Sequence, residues 1–477
     1  MQYFSKMKID RSEIIIGTIC FATLCNCSSK NDSLGEKMVK PNVIFVLADD
    51  LGYMDLSSRN SPYYETPNID QFAKEGLEFT QFYSAPTCAP TRSALITGKS
   101  PARLNITCVG RLPGPELAQT LPKSDYSLPK IFKASGYQTA IFGKWGIPGS
   151  VDNGFDVEKT GGGVVHSHFY PWYKGGIKST LPIAEKGEYL ADVLTSEACK
   201  FMESVQKKPF FIYLPYYGVH TPLEVSEELK NKYENKTFNG DPLNPVYAGM
   251  VENLDANFGK LLNKVKELGL AENTIIIFAS DNGGLIHFWG TKVTSNTPLK
   301  GEKGMLYEGG IRVPFFIRWP GITETESKCD VPVAIEDIVP TLSEIIGCNI
   351  PDSVSQKMDG KSIVPLLKGD SLERGNLYWH YPHYMDRFEA HPASAIRSGD
   401  WKLIDFLVEG RQELYNLKND IGESHDLTTV YPQKAKELAD RLDLWRKKVN
   451  AKMPPTHEEV IRTWEKNEQG VYIKNSK

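Results

Sequence analysis

Two oxygen-bearing pairs, Asp49-Asp50 and Asp281-Asn282, each follow a short continuous apolar run, residues 43–48 and 274–279, the second after Ser280. They offer oxygen donors without a thiolate, a set that suits a hard cation such as calcium or magnesium better than zinc. Either pair alone is explained as well by caps and turns at strand ends, where Asp and Asn are common. The recurrence after two such runs favours a metal. Lys144 follows the run 139–142 and His220 follows the run 210–214. If these runs are parallel strands, all of these groups share one rim, because the ligand crevice of an open α/β sheet lies beyond the carboxyl ends of its strands. Cys88-Ala89-Pro90-Thr91-Arg92 leads into a helical pattern that begins near Pro90. That places Cys88 at a helix N-terminus, where unpaired amides and the dipole favour an anion, although a small buried hydrophobe is the plainer use of one cysteine. Residues 299–314 form a glycine-rich loop that carries Lys300 and Lys303.

The elements that must position these groups are legible in the apolar spacing. Continuous, mostly apolar runs of four to six residues read as strands buried on both faces. Between them lie helical stripes, the clearest at Tyr247, Val251, Leu254, Phe258, Leu261, Val265 and Leu268, one face of a continuous helix. Strands interleaved with helices predict an α/β fold with a doubly wound, mostly parallel sheet covered on both sides. Past residue 370 the pattern changes to short strands at 377–380, 395–397, 401–406 and 413–417. A helix follows with apolar residues at Ala435, Leu438, Leu442, Trp445 and Val449. This predicts a smaller antiparallel sheet with one helix packed on it. The expected organisation is a signal at 1–27, a tether at 28–40, a large domain at 41–370 and a C-terminal subdomain at 371–477.

Composition excludes other classes. With 477 residues, 40% of them apolar and 24% charged, the chain is neither disordered nor fibrous. A net charge of −4 gives no basic field for a phosphate backbone, so nucleic acid is not an expected partner. The eight cysteines show neither a zinc-ribbon spacing nor the density of a disulfide scaffold. Lys6, Lys8 and Arg11 precede an apolar stretch at residues 14–24, and Cys25 and Cys27 follow it. This is the order of a secretory signal, and the stretch is well short of the roughly 20 residues that span a bilayer. Leu24 lies three residues before Cys27, as in a bacterial lipoprotein cleavage box, with Cys25 as the rival acylation site. The expected location is the periplasm or the outer membrane, with a lipid anchor as the only membrane contact.

The motifs together resemble the signature of the type I sulfatases, members of the alkaline phosphatase superfamily. They are Asp49-Asp50-Leu51-Gly52, Cys88-x-Pro90-x-Arg92, Gly143-Lys144-Trp145, His220-Thr221-Pro222, Ser280-Asp281-Asn282-Gly283-Gly284, the Lys303 loop, Gly399-Asp400-Trp401-Lys402-Leu403 and Glu413-Leu414-Tyr415-Asn416-Leu417. They stand in family order along residues 41–427. The resemblance implies hydrolysis of sulfate esters by a formylglycine that a maturation enzyme makes from Cys88. One hydroxyl of its hydrate attacks sulfur and the other then expels sulfate. It also implies that Asp49, Asp50, Asp281, Asn282 and residue 88 hold a calcium ion. Arg92 would steady the hydrate, Lys144 and Lys303 would bind sulfate oxygens, and His220 would lie beside the leaving oxygen.

Two positions depart from the family pattern. Thr91 stands where Ser is common, and Gly146 stands where the family usually has a His that contacts the second hydroxyl. His168 is the candidate to replace that base, since Gly161, Gly162 and Gly163 would let its segment fold over the site. For substrate binding the candidates are His166 and His168, with Tyr170, Trp172 and Tyr173, and also His380 and His383 in a second aromatic segment. Aromatic faces with polar edges suit a sugar ring and also serve as ordinary loop packing. Similar bacterial relatives act on sulfated glycans, so a sulfated carbohydrate is the expected substrate. Two other readings stay open: a phosphate or phosphonate ester hydrolase of the same fold, and a non-catalytic glycan-binding surface lipoprotein, which Gly146 favours.

Overall fold

The computed structural model describes residues 40–477 except 60, 111, 125, 150, 152–153, 175–178, 238–242, 289, 386–390, 467–471 and 475–477. The leader with Cys25 and Cys27, and the tether up to residue 39, lie outside the described residues.

Eight strands form the main sheet: β1 (Asn42–Ala48), β2 (Leu77–Phe79), β3 (Gln138–Lys144), β4 (Val157–Gly161), β5 (Phe210–Pro215), β6 (Thr274–Ser280), β7 (Phe315–Arg318) and β8 (Ser327–Cys329). Their spatial order is β8-β2-β7-β6-β1-β5-β3-β4. From β6 to β4 every pairing is parallel, and β7 runs antiparallel to both β6 and β2. This is the mostly parallel, doubly wound sheet that the spacing of apolar runs predicts. The runs at 43–48, 139–142, 210–214 and 274–279 are the cores of β1, β3, β5 and β6. The strands with no such run are β2, β4, β7 and β8. They are short, and β4 reads Val-Glu-Lys-Thr-Gly, without the apolar run that marks a doubly covered strand.

Three helices matter for the site: α1 (Cys88–Thr97), α2 (Leu190–Val205) and α3 (Pro245–Glu267). Successive residues of a strand face opposite sides. In β1, Ile44, Val46 and Ala48 pack with Leu194 and Ala198 of α2 and with Leu254, Phe258 and Leu261 of α3. Val43, Phe45 and Leu47 point the other way, to Ala94 and Leu95 of α1 and to Ile338, Val339 and Leu342. The central strand is therefore buried on both faces and cannot slip by one residue without exchanging the two cores.

A second sheet of four antiparallel strands, β9 (Leu377–Tyr381), β10 (Ala393–Ser398), β11 (Trp401–Phe406) and β12 (Arg411–Asn416), follows in sequence order. One face takes α4 (Pro432–Val449) through Ala435, Leu438, Leu442, Trp445 and Val449, which meet Ile396, Leu403 and Leu414. The other face packs Ala395, Ile404 and Tyr415 with Tyr83, Leu306 and Ile311. Between this face and the glycine-rich loop lies a buried ionic cluster. Lys402 Nζ is 2.9 Å from Glu308 and 2.8 Å from Glu423, all of them fully buried. The Glu308 amide donates to Glu423 at 2.7 Å, and the Tyr83 hydroxyl donates to Glu308 at 2.7 Å. Burial alone would raise the Glu308 carboxyl, but Lys402 and Arg312 hold it below the usual carboxylate range. Removing Lys402 would leave Glu423 buried beside Glu308 without its cation, with Arg312 at 3.5 Å remaining for Glu308 alone. Lys402→Met is therefore expected to lower unfolding free energy by about 3–5 kcal/mol in a denaturant titration, and a loss below about 1 kcal/mol would contradict the cluster's role.

Candidate active site

The carboxyl ends of β1, β3, β5 and β6 converge on one polar floor. Asp49 and Asp50 follow the last residue of β1, Asp281 and Asn282 follow β6, Lys144 is the last residue of β3, and His220 lies five residues past β5. Asp49, Lys144, Arg92, Asp281 and Asn282 are fully buried, and Asp50, Cys88 and Lys303 are nearly so. Charges so deep in a protein must be paired, and these are. Lys144 Nζ lies 2.5 Å from Asp49 Oδ2. Lys303 Nζ lies 2.7 and 2.8 Å from the two oxygens of Asp50. Arg92 donates through Nε and Nη2 to Asp281 Oδ2 at 3.0 and 2.7 Å, and through Nη1 to the Lys144 carbonyl at 2.9 Å. Burial would raise the Asp50 carboxyl, but the charges of Lys303 and Lys144 hold it far below the carboxylate range.

A divalent cation fits this donor set. Ligand atoms of Asp49, Cys88 and Asp281 lie within 4.8 Å of one another, as do those of Asp49, Asp50 and His220. Asp49 Oδ1 and Asn282 Oδ1 are buried without a hydrogen-bond donor. Both oxygens belong to the acidic floor, and the carboxylate and carboxamide oxygens of Asp49, Asp50, Asp281 and Asn282 suit calcium or magnesium. Asn282 is aimed by its own amide, which donates to Asp50 Oδ1 at 2.8 Å.

Cys88 opens α1 after an extended Thr87, and burial raises its thiol pKa. Thr91, the mild departure from the family pattern, is fully buried; its hydroxyl accepts from the Ala85 amide at 2.9 Å and so fixes the chain's entry into the helix. His220 Nδ1 is 2.6 Å from the Thr221 carbonyl, which only accepts, so that nitrogen carries the proton. The Nε2 atom is 3.7 Å from Asp50 Oδ2. Burial, reinforced by Lys303, pushes the His220 pKa down to about 3, and the ring is neutral.

Above the floor opens a cavity of about 1090 Å3 whose lining includes Cys88, Lys144, His220 and Lys303. Its walls carry Gln119, Trp145, Glu158, Thr160, Ser179 and Thr180. Apart from Trp145, no motif in the sequence marks these wall residues; Glu158 and Thr160 sit on the polar edge strand β4. Gly146 also lines the cavity, at φ 65°, and a Cβ there would stand 3.1 Å from Arg92 Cδ and 3.2 Å from Lys144 Cε. A glycine leaves both cations undisturbed.

The histidines read from the sequence as substrate contacts are placed differently. None of His166, His168, His380 and His383 is among the residues lining this cavity. His168 is almost fully buried, stacks on Tyr189, and donates from Nε2 to the His220 carbonyl at 2.9 Å. It holds His220 from behind and does not stand beside Lys144 as a replacement base. His380 is bonded on both ring nitrogens, to Ser394 at 2.8 Å and to the Lys452 carbonyl at 2.9 Å. His383 is buried, with Nε2 2.8 Å from Thr107. His166 is exposed and meets the Tyr173 ring edge-on. His168, His380 and His383 are thus packed inside the protein, and His166 alone of the four is exposed.

Comparison with known proteins agrees with this geometry. Residues 41–348 match the family described as Sulfatase, and residues 301–449 match N-sulphoglucosamine sulphohydrolase, C-terminal. A sulfatase of Formosa agariphila is 32% identical, covering 94% of this chain and 95% of the relative. N-acetylgalactosamine-6-sulfatase of Mus musculus is 30% identical, covering 71% and 68%. The crystal structure of Ps i-CgsB in complex with k-i-k-neocarrahexaose superposes with a TM-score of 0.75 at 29% identity, covering 88% of this chain and 96% of that one. The buried cation and carboxylate floor thus stands in a chain that belongs to the sulfatase family and is a sulfuric ester hydrolase.

Proposed function

We propose that this sulfatase removes sulfate from sulfated glycans, with residue 88 as formylglycine and a calcium ion held by Asp49, Asp50, Asp281 and Asn282. The observation that carries the reading is the coincidence of Cys88, Lys144, Lys303 and His220 in one cavity lining with two unpaired ligand oxygens in the floor. When present, the formylglycine supplies the nucleophilic hydroxyl and the calcium draws charge from the sulfate oxygens. The protein's own residues do the rest. Lys144 and Lys303 are buried cations facing the same space. At about 4 Å each can stabilise an anion by roughly 4 kcal/mol at an effective dielectric near 20, so a net charge of −4 does not prevent sulfate binding. Arg92 lies one turn after residue 88 in helix α1 and is locked to Asp281, so it can steady the nucleophile without a mobile side chain. His220 is fixed by the Thr221 carbonyl and by His168 and keeps Nε2 on the Asp50 side.

The glycan assignment draws on the cavity and on the relatives. A space of about 1090 Å3 exceeds what a small aryl group fills and has hydroxyl and amide donors on its walls. The mouse relative is named for a sulfated amino sugar, and Ps i-CgsB was crystallised with a neocarrahexaose. We further propose that the leader directs export and lipid anchoring at Cys27.

Three outcomes follow. Coexpression with a maturation enzyme should give an active-site peptide lighter than the cysteine form, by exchange of sulfur and two hydrogens for one oxygen; Cys88→Ala should then release no sulfate, and full activity in that variant would overturn the nucleophile assignment. Asp281→Ala should lose calcium and turnover together in metal analysis and a sulfate-release assay, and retention of the metal would contradict the ligand set. Mature protein should begin at Cys27 and partition with membranes, whereas an unprocessed Met1 form in the native cell would refute export.

A further inference from the structure

Asp50 adopts φ 64°. For a residue with a side chain, this left-handed conformation costs about 1–2 kcal/mol relative to the right-handed one, so the surroundings must enforce it. The enforcing contacts can be named. The Asp50 amide donates to Asp281 Oδ1 at 3.1 Å. The Tyr247 hydroxyl is 3.3 Å from the Asp50 carbonyl oxygen and 2.6 Å from Asp55 Oδ2. That same carboxylate oxygen accepts the Gly52 amide at 2.8 Å. Asp55 is fully buried, and its other oxygen takes the Thr294 hydroxyl at 2.5 Å. On the near side, Asp49 is pinned by its amide to the Gly218 carbonyl at 3.0 Å and by its carbonyl to the Val219 amide at 2.7 Å.

We infer that Tyr247, acting with Asp55, is a positioning residue of the cation site, holding the Asp50 loop in the left-handed turn that turns its carboxylate to the ligand set. The inference rests on the calcium reading above. Tyr247 is suited to the task because it sits in the first turn of α3, where the Asn244 side chain accepts the amides of Val246 and Tyr247 at 3.0 and 3.1 Å. The hydroxyl is thus delivered from a long, rigid helix and not from a loop. A buried tyrosine hydroxyl needs a partner in any case, and Asp55 alone would satisfy that need. The specific feature is that the hydroxyl donates its one proton to Asp55, which in turn takes the Gly52 amide two residues past Asp50, so the loop after Asp50 is tied to the helix through Asp55. Groups that orient metal ligands from behind typically change affinity by about 10–100-fold when removed.

The test uses the full mature chain, matured to formylglycine at residue 88 and titrated with calcium by isothermal calorimetry without a sulfate ester, so that turnover plays no part. Tyr247→Phe removes one hydroxyl. Tyr64→Phe removes another from the same buried cluster, where it bonds Thr294 at 2.6 Å without touching Asp50. The expected result is calcium binding weakened about tenfold or more in Tyr247→Phe and unchanged in Tyr64→Phe, with similar falls in melting temperature. Wild-type affinity in Tyr247→Phe, or an equal loss in Tyr64→Phe, would overturn the inference. Should Tyr247→Phe fail to fold, Thr294→Val loosens Asp55 from its far side and carries the same expectation. A wild-type chain that takes up no calcium would instead sink the calcium reading, and this inference with it, before any variant is compared.

Discussion

Asp49 is buried with ligand atoms within 4.8 Å of those of Asp50 on one side and of Asp281 on the other, and this arrangement is the costly one on which the rest of the structure depends. An unpaired carboxylate in such a place would neutralise itself by taking up a proton. Arg92, Lys144 and Lys303 prevent that, each from a different part of the chain: a helix N-terminal turn, the end of a strand and a glycine-rich loop. Each carboxylate therefore has its own cation. The two oxygens left without a hydrogen-bond donor, on Asp49 and Asn282, are the ones the proposed cation would take.

Holding such a network requires rigid supports on every side. Parallel strands deliver Asp49, Asp281 and Lys144 at one edge of the sheet because their carboxyl ends align. Lys303 has no strand beneath it. Its loop is closed by the Asn296 side chain, whose amide donates to the carbonyls of Gly284, Gly301 and Gly309 at 2.9, 3.0 and 3.2 Å. Beyond the loop, Glu308 is tied to Lys402 of the second sheet. The small sheet thus contributes to the site by fixing the loop that carries one of its cations, at a distance from the chemistry.

Much of this was legible in the residue order. Strands covered on both faces leave continuous apolar runs, so β1, β3, β5 and β6 could be found, and the polar residues after them marked the floor. The edge strand β4 left no such trace, because it is half polar, and with it Glu158 and Thr160 of the cavity wall escaped notice. The histidines misled for a related reason. His168, His380 and His383 have the composition of a sugar-binding surface, but each is buried with at least one ring nitrogen bonded within the protein, which only the tertiary arrangement decides. Asp55, Tyr247 and Asn296 went unread because their role is to hold backbone, and nothing in residue type distinguishes that from ordinary core polarity.

The central claim is that the unpaired oxygens of Asp49 and Asn282 are calcium ligands. Anomalous diffraction from crystals grown with calcium would test it most directly. A single strong peak within about 2.3–2.6 Å of Asp49 Oδ1 and Asn282 Oδ1, with Asp50 and Asp281 completing the shell, is the predicted result. A peak elsewhere, or ordered density showing those two oxygens bonded to a lysine or to water alone, would contradict it.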